Sequence, residues 1–261
     1  MITKIKVKEN TREAQLLMFR EIDLSSLPNP RIVPLFGANG AGKTTLMKGI
    51  EETIHYQREL LTAEKMKREE PEDEDLYEMI AQTCRNKKSL DISGDETPIV
   101  LFRYRNSDDN SRVREASSER EDFDTMYVRN RWNANALSEG QSIMYSLEDL
   151  LTGLKAGKNC MLQEGTHAVV LLDEIDSGLS LDNLDSILRN IRTIVRRQDN
   201  VQFFLSFNTS YVLKYFPDVM SMYDGHVHHL ADEKAMLDEI MSHRKELDKL
   251  RKRGKRYIIF D

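Results

Sequence analysis

Apolar residues along the chain follow two periodic patterns that alternate. Three short runs are almost wholly apolar, over residues 31–36, 168–172 and 201–205, which is typical of strands buried in a parallel sheet. Between the last two runs, apolar side chains recur at spacings of three, four and seven, as in an amphipathic helix. The members of this stripe are Leu181, Leu184, Ile187, Leu188, Ile191, Ile194 and Val195. Alternating strands and helices predict an α/β fold with a mostly parallel central sheet.

Shorter segments with alternating polarity predict further strands, including an antiparallel N-terminal β part. The expected pairs are residues 2–8 with 15–23, residues 98–105 with 112–116, and residues 220–223 with 226–230 around Asp224-Gly225. Helices are expected from Lys43 to about Arg85 with breaks, over 139–155, and over 231–252, with a last strand over 257–260. Pro34 conflicts with this pattern, because it lies in the strand expected at the sheet centre, where a missing N–H donor is unfavourable.

The length of 261 residues suggests one large domain or two small ones. No internal repeat and no glycine/serine linker divides the chain, so we expect a single domain over 1–261. A charged helical and hairpin lobe is expected over 57–135, and a basic helix and strand over 231–261.

Composition excludes several classes of protein. No stretch approaches the roughly 20 apolar residues of a membrane helix, and the N-terminus has no apolar block typical of a secretory signal. Cys84 and Cys160 lie far apart and form no CxxC pair, which argues against a disulfide framework or a zinc site. We therefore expect a cytoplasmic protein without a membrane partner.

Charge is distributed unevenly, although 38 basic and 44 acidic residues give a net charge of only −6. The basic tail, residues 243–256, contains eight basic residues and two acidic ones. Such a segment is either a solvated helix surface or a contact for a nucleic-acid backbone or an acidic protein surface. Charge alone does not decide between these interpretations.

A glycine-rich segment, residues 37–44, fits the pattern GxxxxGK[ST] at every fixed position, after an apolar strand and at the start of a helix. Glycines let backbone N–H groups curl around a phosphate, and the helix N-terminus adds positive potential. Lys43 is expected to reach the β- and γ-phosphates, and Thr44 to ligate Mg²⁺. The other residues expected to hold the nucleotide are Gly37, Asn39, Gly40, Gly42 and Thr45.

The apolar run 168–172 ends in two carboxylates, Asp173 and Glu174. Asp173 is expected to hold Mg²⁺ beside Thr44, and Glu174 to polarise the attacking water as a general base. An acidic pair after a strand is by itself a weak signal and is also typical of a solvated turn. The phosphate loop strengthens the functional interpretation, because such a loop needs an acidic metal partner on a neighbouring strand.

A third motif lies between these two, Leu137-Ser138-Glu139-Gly140-Gln141. Locally it is a helix start, with Ser138 as N-cap and Gln141 completing a capping box. In its order relative to the other motifs, it resembles the LSGGQ signature of the ABC-type ATPases, from which only Glu139 departs. Residues 176–180 also resemble the D-loop of that family.

The resemblance implies an ATP- and Mg²⁺-dependent ATPase that dimerises head to tail with itself or a similar head. Ser138, Gly140 and Gln141 of one head would then contact the γ-phosphate held by the other. Ile175 after the acidic pair and the long interval from Gln141 to Asp173 are closer to the soluble SMC, RecF and OLD-like branch than to transporter subunits.

The expected role is an ATPase that drives or gates a separately encoded effector or a nucleic-acid-associated assembly, for example in bacterial anti-phage defence. Two alternatives stay open. One is the ATP-binding subunit of an ABC transporter, and the other is a module that holds ATP with little turnover.

Two features depart from the family pattern. The switch histidine is replaced by Phe207 or Asn208, so an amide of Asn208 is expected to contact the γ-phosphate and hydrolysis is expected to be slow. The Q-loop glutamine cannot be assigned, since nothing around Gln82 supports that role and a polar position on a helix is the favoured interpretation.

Overall fold

The structure is a computed structural model that describes residues 1–69, 74–94, 99–105, 113–115, 151–152 and 166–257. Within these residues no helix is both long enough and apolar enough to cross a bilayer. The described strands are β1 (Ile2–Val7), β2 (Glu21–Asp23), β3 (Ile32–Phe36), β4 (Leu90–Gly94), β5 (Ile99–Arg105), β6 (Val113–Glu115), β7 (His167–Asp173), β8 (Val201–Ser206), β9 (Asp218–Ser221) and β10 (Val227–His229). The described helices are α1 (Arg12–Leu16), α2 (Lys43–Glu69), α3 (Glu74–Lys87), α4 (Leu181–Arg197), α5 (Glu233–Ser242) and α6 (Arg244–Tyr257).

The larger sheet has the strand order β10-β9-β3-β8-β7-β5-β6. Its five central strands run parallel, and β6 and β10 pair antiparallel at the edges. Strands β3 and β8 are buried at every position, as continuous apolar runs predict for strands covered on both faces. The predicted α/β class with a mostly parallel central sheet is confirmed.

Pro34 is compatible with a central strand because of the direction in which its nitrogen points. Arg31 accepts a backbone hydrogen bond from Phe203 of β8, whereas Phe36 accepts one from Met222 on the other side of β3. Since successive residues of a strand face opposite neighbours, the nitrogen of Pro34 points toward β9. Pairing with β9 begins only at Leu35, so the missing donor interrupts no ladder.

The smaller sheet is antiparallel, with the order β2-β1-β4, and gives the expected N-terminal β part. One detail of that prediction is wrong, because residues 15–16 belong to α1 and the strand covers only β2. Thr11 caps this short helix by accepting a hydrogen bond from the Ala14 amide at 3.2 Å. Buried Gln202 joins the two sheets, since its side chain bonds the Ile2 amide and carbonyl, each at 2.9 Å.

The long helical segment expected after Lys43 is present as α2 and α3, which pack against each other. Helix α4 buries the apolar stripe seen in the sequence except for its first member, Leu181, which is 60% exposed. Leu184, Ile187 and Ile191 are among its fully enclosed residues.

The C-terminal segment differs from its prediction. The helix expected over 231–252 is two helices, α5 and α6, that meet at His243, and Tyr257 is the last residue of α6 rather than the start of a strand. Residues 258–260 lie outside the described part of the chain. Helix α6 packs against α1, which anchors the start of the basic tail to the body of the fold.

Candidate nucleotide-binding site

The phosphate loop connects β3 to α2, and Lys43 is the first residue of that helix. Inside the loop the Ala41 amide donates to the Ala38 carbonyl at 3.0 Å, closing a tight turn. Gly40 and Gly42 have φ values of +86° and +99°, a left-handed backbone that side chains rarely tolerate. The glycines are therefore required by the path of the loop toward the helix N-terminus.

Lys43 lies at the centre of the site and is only 7% exposed. Its amine donates to the Gly37 carbonyl and to Oδ1 of Asn208, the latter at 3.2 Å. Burial lowers the pKa of this amine, while the negative charges of Asp173, Asp176 and Glu174 oppose that shift. The lysine is therefore a partly desolvated cation surrounded by carboxylates and placed beside the loop.

Asp173 ends β7 and is completely buried, at 0% exposure. The Ser206 hydroxyl at the end of β8 donates to Oδ1 of Asp173 at 2.6 Å. The same hydroxyl accepts a hydrogen bond from the Glu174 amide at 2.7 Å. Ser206 thus fixes the two acidic residues relative to each other, a positioning role that the sequence analysis missed.

Glu174 has a φ of +53°, which is uncommon for a residue with a side chain. Such a conformation costs of order 1 kcal/mol and persists when neighbouring contacts determine it. Here the bond from its amide to Ser206, and the bond from the Ile175 amide to the Ser206 carbonyl at 3.0 Å, supply those contacts. The strand end is held in one geometry at the point where a general base is expected.

The expected D-loop begins at Asp176, which connects the two strand ends. Its Oδ2 accepts hydrogen bonds from the amides of Asn208 and Thr209, at 2.8 and 2.6 Å. Phe207 is buried in the core at 1% exposure, whereas Asn208 is exposed and bonded to Lys43. Of the two positions proposed for the switch residue, only Asn208 therefore lies in the site.

The residues expected to hold Mg²⁺ are hard oxygen ligands of the kind that this ion prefers, a threonine hydroxyl and a carboxylate. Thr44 and Thr45 are half-buried in the first turn of α2, and Asp173 is buried at the end of β7, which is separated from β3 by β8. Asn39 and Gly40 are exposed at the tip of the loop. The donor set present fits a magnesium–phosphate group.

Residues of the C-terminal segment, from Met222 to His243, contact the phosphate loop or pack against the residues that do. The Ala38 amide donates to the Tyr223 hydroxyl at 2.8 Å, and the Tyr223 ring stacks on His243 at 4.5 Å between centroids. Gly37 lies against the same segment, because an added Cβ would be 3.1 Å from that of Met222. Nothing in the sequence pattern indicated this contact, since it depends on the packing of the hairpin and of the α5–α6 junction.

Not every expected site residue falls within the described part of the chain. The signature residues Ser138, Gly140 and Gln141 lie outside it, and their contact with nucleotide stays a prediction. Gln82 lies on the exposed surface of α3, where its amide donates to Asn86 at 3.3 Å. This is the polar helix position that was the alternative to a Q-loop role.

Comparison with known proteins identifies the fold family. A family model described as "ABC transporter" matches residues 21–154, just over half of the 261 residues. No curated protein matches the chain. One solved structure, titled "Structure of C. elegans PCH-2", has a TM-score of 0.32 and 16% identity, and covers 88% of this chain. The chain spans only 43% of that protein, and a likeness this low carries nothing about fold or activity.

Proposed function

This chain belongs to the ABC-type ATPases, and from that membership we propose that it binds and hydrolyses Mg-ATP and dimerises around it to drive or gate a partner. The observation that carries the proposal is the joint position of Lys43, Asn208 and the Asp173–Glu174 strand end. Each comes from a different strand end of one sheet, and all lie at the carboxyl edge where open α/β sheets bind ligands.

The chain's own residues have separate tasks in this reaction. The loop amides and the N-terminus of α2 bind the phosphates, and Lys43 adds a positive charge that is already desolvated. Thr44 and Asp173 would hold Mg²⁺, which supplies charge neutralisation when bound. Glu174 orients the attacking water and accepts its proton, in a position fixed by Ser206.

A second copy, or a similar head, completes the site in this proposal. Ser138 and the Gly140 amide of the opposing head would add donors to the γ-phosphate, with Gln141 in the same motif. We expect the protein to be monomeric without nucleotide and dimeric in Mg-ATP, because each bound nucleotide would be contacted by residues of both heads. Light scattering with and without Mg-ATP measures this directly, and a mass that does not change with ATP contradicts the dimer.

The partner is proposed to be a separately encoded effector, for example of an anti-phage system, or a nucleic-acid-associated assembly. One observation supports a soluble assembly over a transporter subunit: an isoleucine follows the acidic pair. Affinity purification in ATP without detergent is the test. A membrane-embedded protein as the main companion would favour the transporter alternative instead.

Asn208 is expected to make turnover slow. In this structure its Oδ1 accepts from Lys43, so the side chain provides an amide where the family usually has an imidazole. We expect Asn208→His to raise the turnover number by at least about tenfold, since an added donor to the γ-phosphate stabilises developing charge. Asn208→Ala is the matched variant and should lower turnover. Equal turnover in all three proteins would show that position 208 does not contact the reacting phosphate.

A further inference from the structure

A basic groove lies on the outer face of α4, away from the residues assigned to the nucleotide. It is formed by α4 and by the short 3-10 helix Ser210–Lys214, and encloses a cleft of about 650 Å³. Its lining residues are Asp185, Arg189, Arg192, Thr193, Arg196, Tyr211, Lys214 and Tyr215. We call this surface the α4 groove. A second cleft shares Arg192, Arg196 and Tyr215 with it and extends the surface to Arg31.

The position of the arginines follows from the packing of α4. Because the opposite face of this helix is buried in the core, residues 189, 192 and 196 are all directed outward and exposed. Lys214 of the 3-10 helix is exposed on the facing wall. Four cations thus face one cleft on a protein whose net charge is −6.

The single carboxylate among the groove's lining residues, Asp185, pairs with only one of these cations, Arg189. Asp185 Oδ1 accepts hydrogen bonds from the hydroxyls of Tyr211, at 2.6 Å, and Tyr215, while Oδ2 accepts from Arg189 at 2.6 Å. These bonds, those from the tyrosines first, lower the pKa of Asp185 to about 2. Within the described residues, neither Arg192 nor Arg196 forms an ion pair.

Aromatic rings form part of the groove wall. Tyr211 and Tyr215 are held through their hydroxyls on Asp185, which fixes both rings. Lys214 lies over the ring of Tyr211 at 4.4 Å and Arg192 over that of Tyr215 at 5.8 Å. The groove therefore combines exposed guanidinium groups with rings fixed beside them.

We propose that the α4 groove binds the sugar-phosphate backbone of a nucleic acid. Arginine matches phosphate geometry through its planar fork of donors, and tyrosine rings beside basic residues are typical of surfaces that follow a nucleic-acid strand. Arg189 and Arg196 are seven positions apart, or about 10 Å along the helix, which is roughly three nucleotide steps of one duplex strand. Unlike a membrane-binding surface, the cleft of α4 has no exposed large apolar side chain to insert.

The α4 groove is also connected to the nucleotide site. The 3-10 helix follows directly after Asn208 and Thr209, whose amides bond Asp176, and α4 follows directly after the D-loop segment. A movement of Asn208 or of the D-loop segment on ATP binding would therefore be transmitted to both walls of the groove through only a few residues. Binding of nucleic acid does not require ATP hydrolysis, so the two proposals fail independently.

The test compares two double variants that remove equal charge from exposed helix surfaces. Arg192→Ala with Arg196→Ala changes the groove, and Lys65→Ala with Arg68→Ala changes α2. Fluorescence anisotropy with a labelled mixed-sequence duplex and its single strand, over a salt series, gives affinity and salt dependence. We expect the groove variant to bind at least about tenfold more weakly than the wild-type protein. We also expect the slope of the logarithm of its binding constant against the logarithm of salt concentration to be less steep by about two. The α2 variant should match the wild-type protein in both quantities.

The proposal is overturned if the wild-type protein does not bind nucleic acid or if both double variants bind it with equal affinity. It is also overturned if affinity falls only when the basic residues of 251–256 are neutralised. Poly-glutamate and anionic vesicles are the competing probes, and groove-dependent binding of either one in place of nucleic acid assigns the groove to an acidic protein or a membrane. Unchanged ATP affinity of the groove variant verifies that it is folded.

Discussion

Replacing Lys43 by alanine is expected to remove most of the affinity for ATP. In the structure this amine is buried, bonded to the Gly37 carbonyl and to Asn208, and surrounded by three carboxylates. Without it, Mg²⁺ alone would neutralise the β- and γ-phosphates beside those carboxylates. The loss of a charge-assisted contact of this kind is about 3 kcal/mol, or roughly a hundredfold in Kd.

A nucleotide series makes the Lys43 test specific. Calorimetric titration with ATP, ADP and AMP should show the loss for ATP and ADP, but little for AMP, which lacks the phosphates that Lys43 is expected to reach. Lys48→Ala is the control, because it removes the same charge from an exposed position of the same helix. An equal loss for AMP would mean that the variant disturbs the fold of the loop, and no loss for ATP would contradict its role as phosphate loop.

The elements that the sequence predicted best are those whose burial is set by their own periodicity. Strands β7 and β8 and helix α4 coincide with the apolar runs within one or two residues. The errors occurred where a helix cap or a contact between distant residues determines where an element begins or ends. Thr11 caps α1, whose last two residues lie in the segment predicted as a strand. The stacking of His243 on Tyr223 accompanies the break between α5 and α6.

The residues of the candidate site that belong to sequence motifs could be predicted from the sequence. Lys43, Asp173, Glu174 and Asn208 lie close together because parallel strands end at one edge of the sheet. Ser206 was missed because a serine after an apolar strand carries no signal until β7 and β8 are known to be neighbours. Tyr223 was missed because its bond to Ala38 joins residues separated by most of the chain.

The surface charges also depend on contacts that the sequence does not reveal. In the sequence the basic tail is conspicuous because its charges are contiguous, whereas the arginines of α4 are spaced among apolar residues. Folding buries the apolar residues and leaves Arg189, Arg192 and Arg196 together, with Lys214 facing them. A run of charge in sequence and a concentration of charge in space are therefore different predictors of a binding surface.

Glu174→Gln is expected to reduce the turnover of ATP by about a hundredfold to ten-thousandfold, the contribution typical of a positioned general base. Glutamine keeps the size and the backbone bond to Ser206 but cannot take a proton from water. Affinity for ATP should change little, because Lys43 and the loop are untouched. Steady-state phosphate release and calorimetric titration measure the two quantities on the same preparation, with Glu69→Gln as an exposed control.

The Glu174 variant also separates a motor from a module that only holds ATP. If hydrolysis ends the dimeric state, blocking it should leave the variant dimeric in Mg-ATP for much longer than the wild-type protein. A wild-type turnover no faster than that of Glu174→Gln would exclude hydrolysis as the source of work, and a module that holds ATP with little turnover would then be the better description. In that case the natural asparagine at position 208, where the family usually has a histidine, would be the cause, since the hydrogen bonds that hold the strand end at Glu174 are intact.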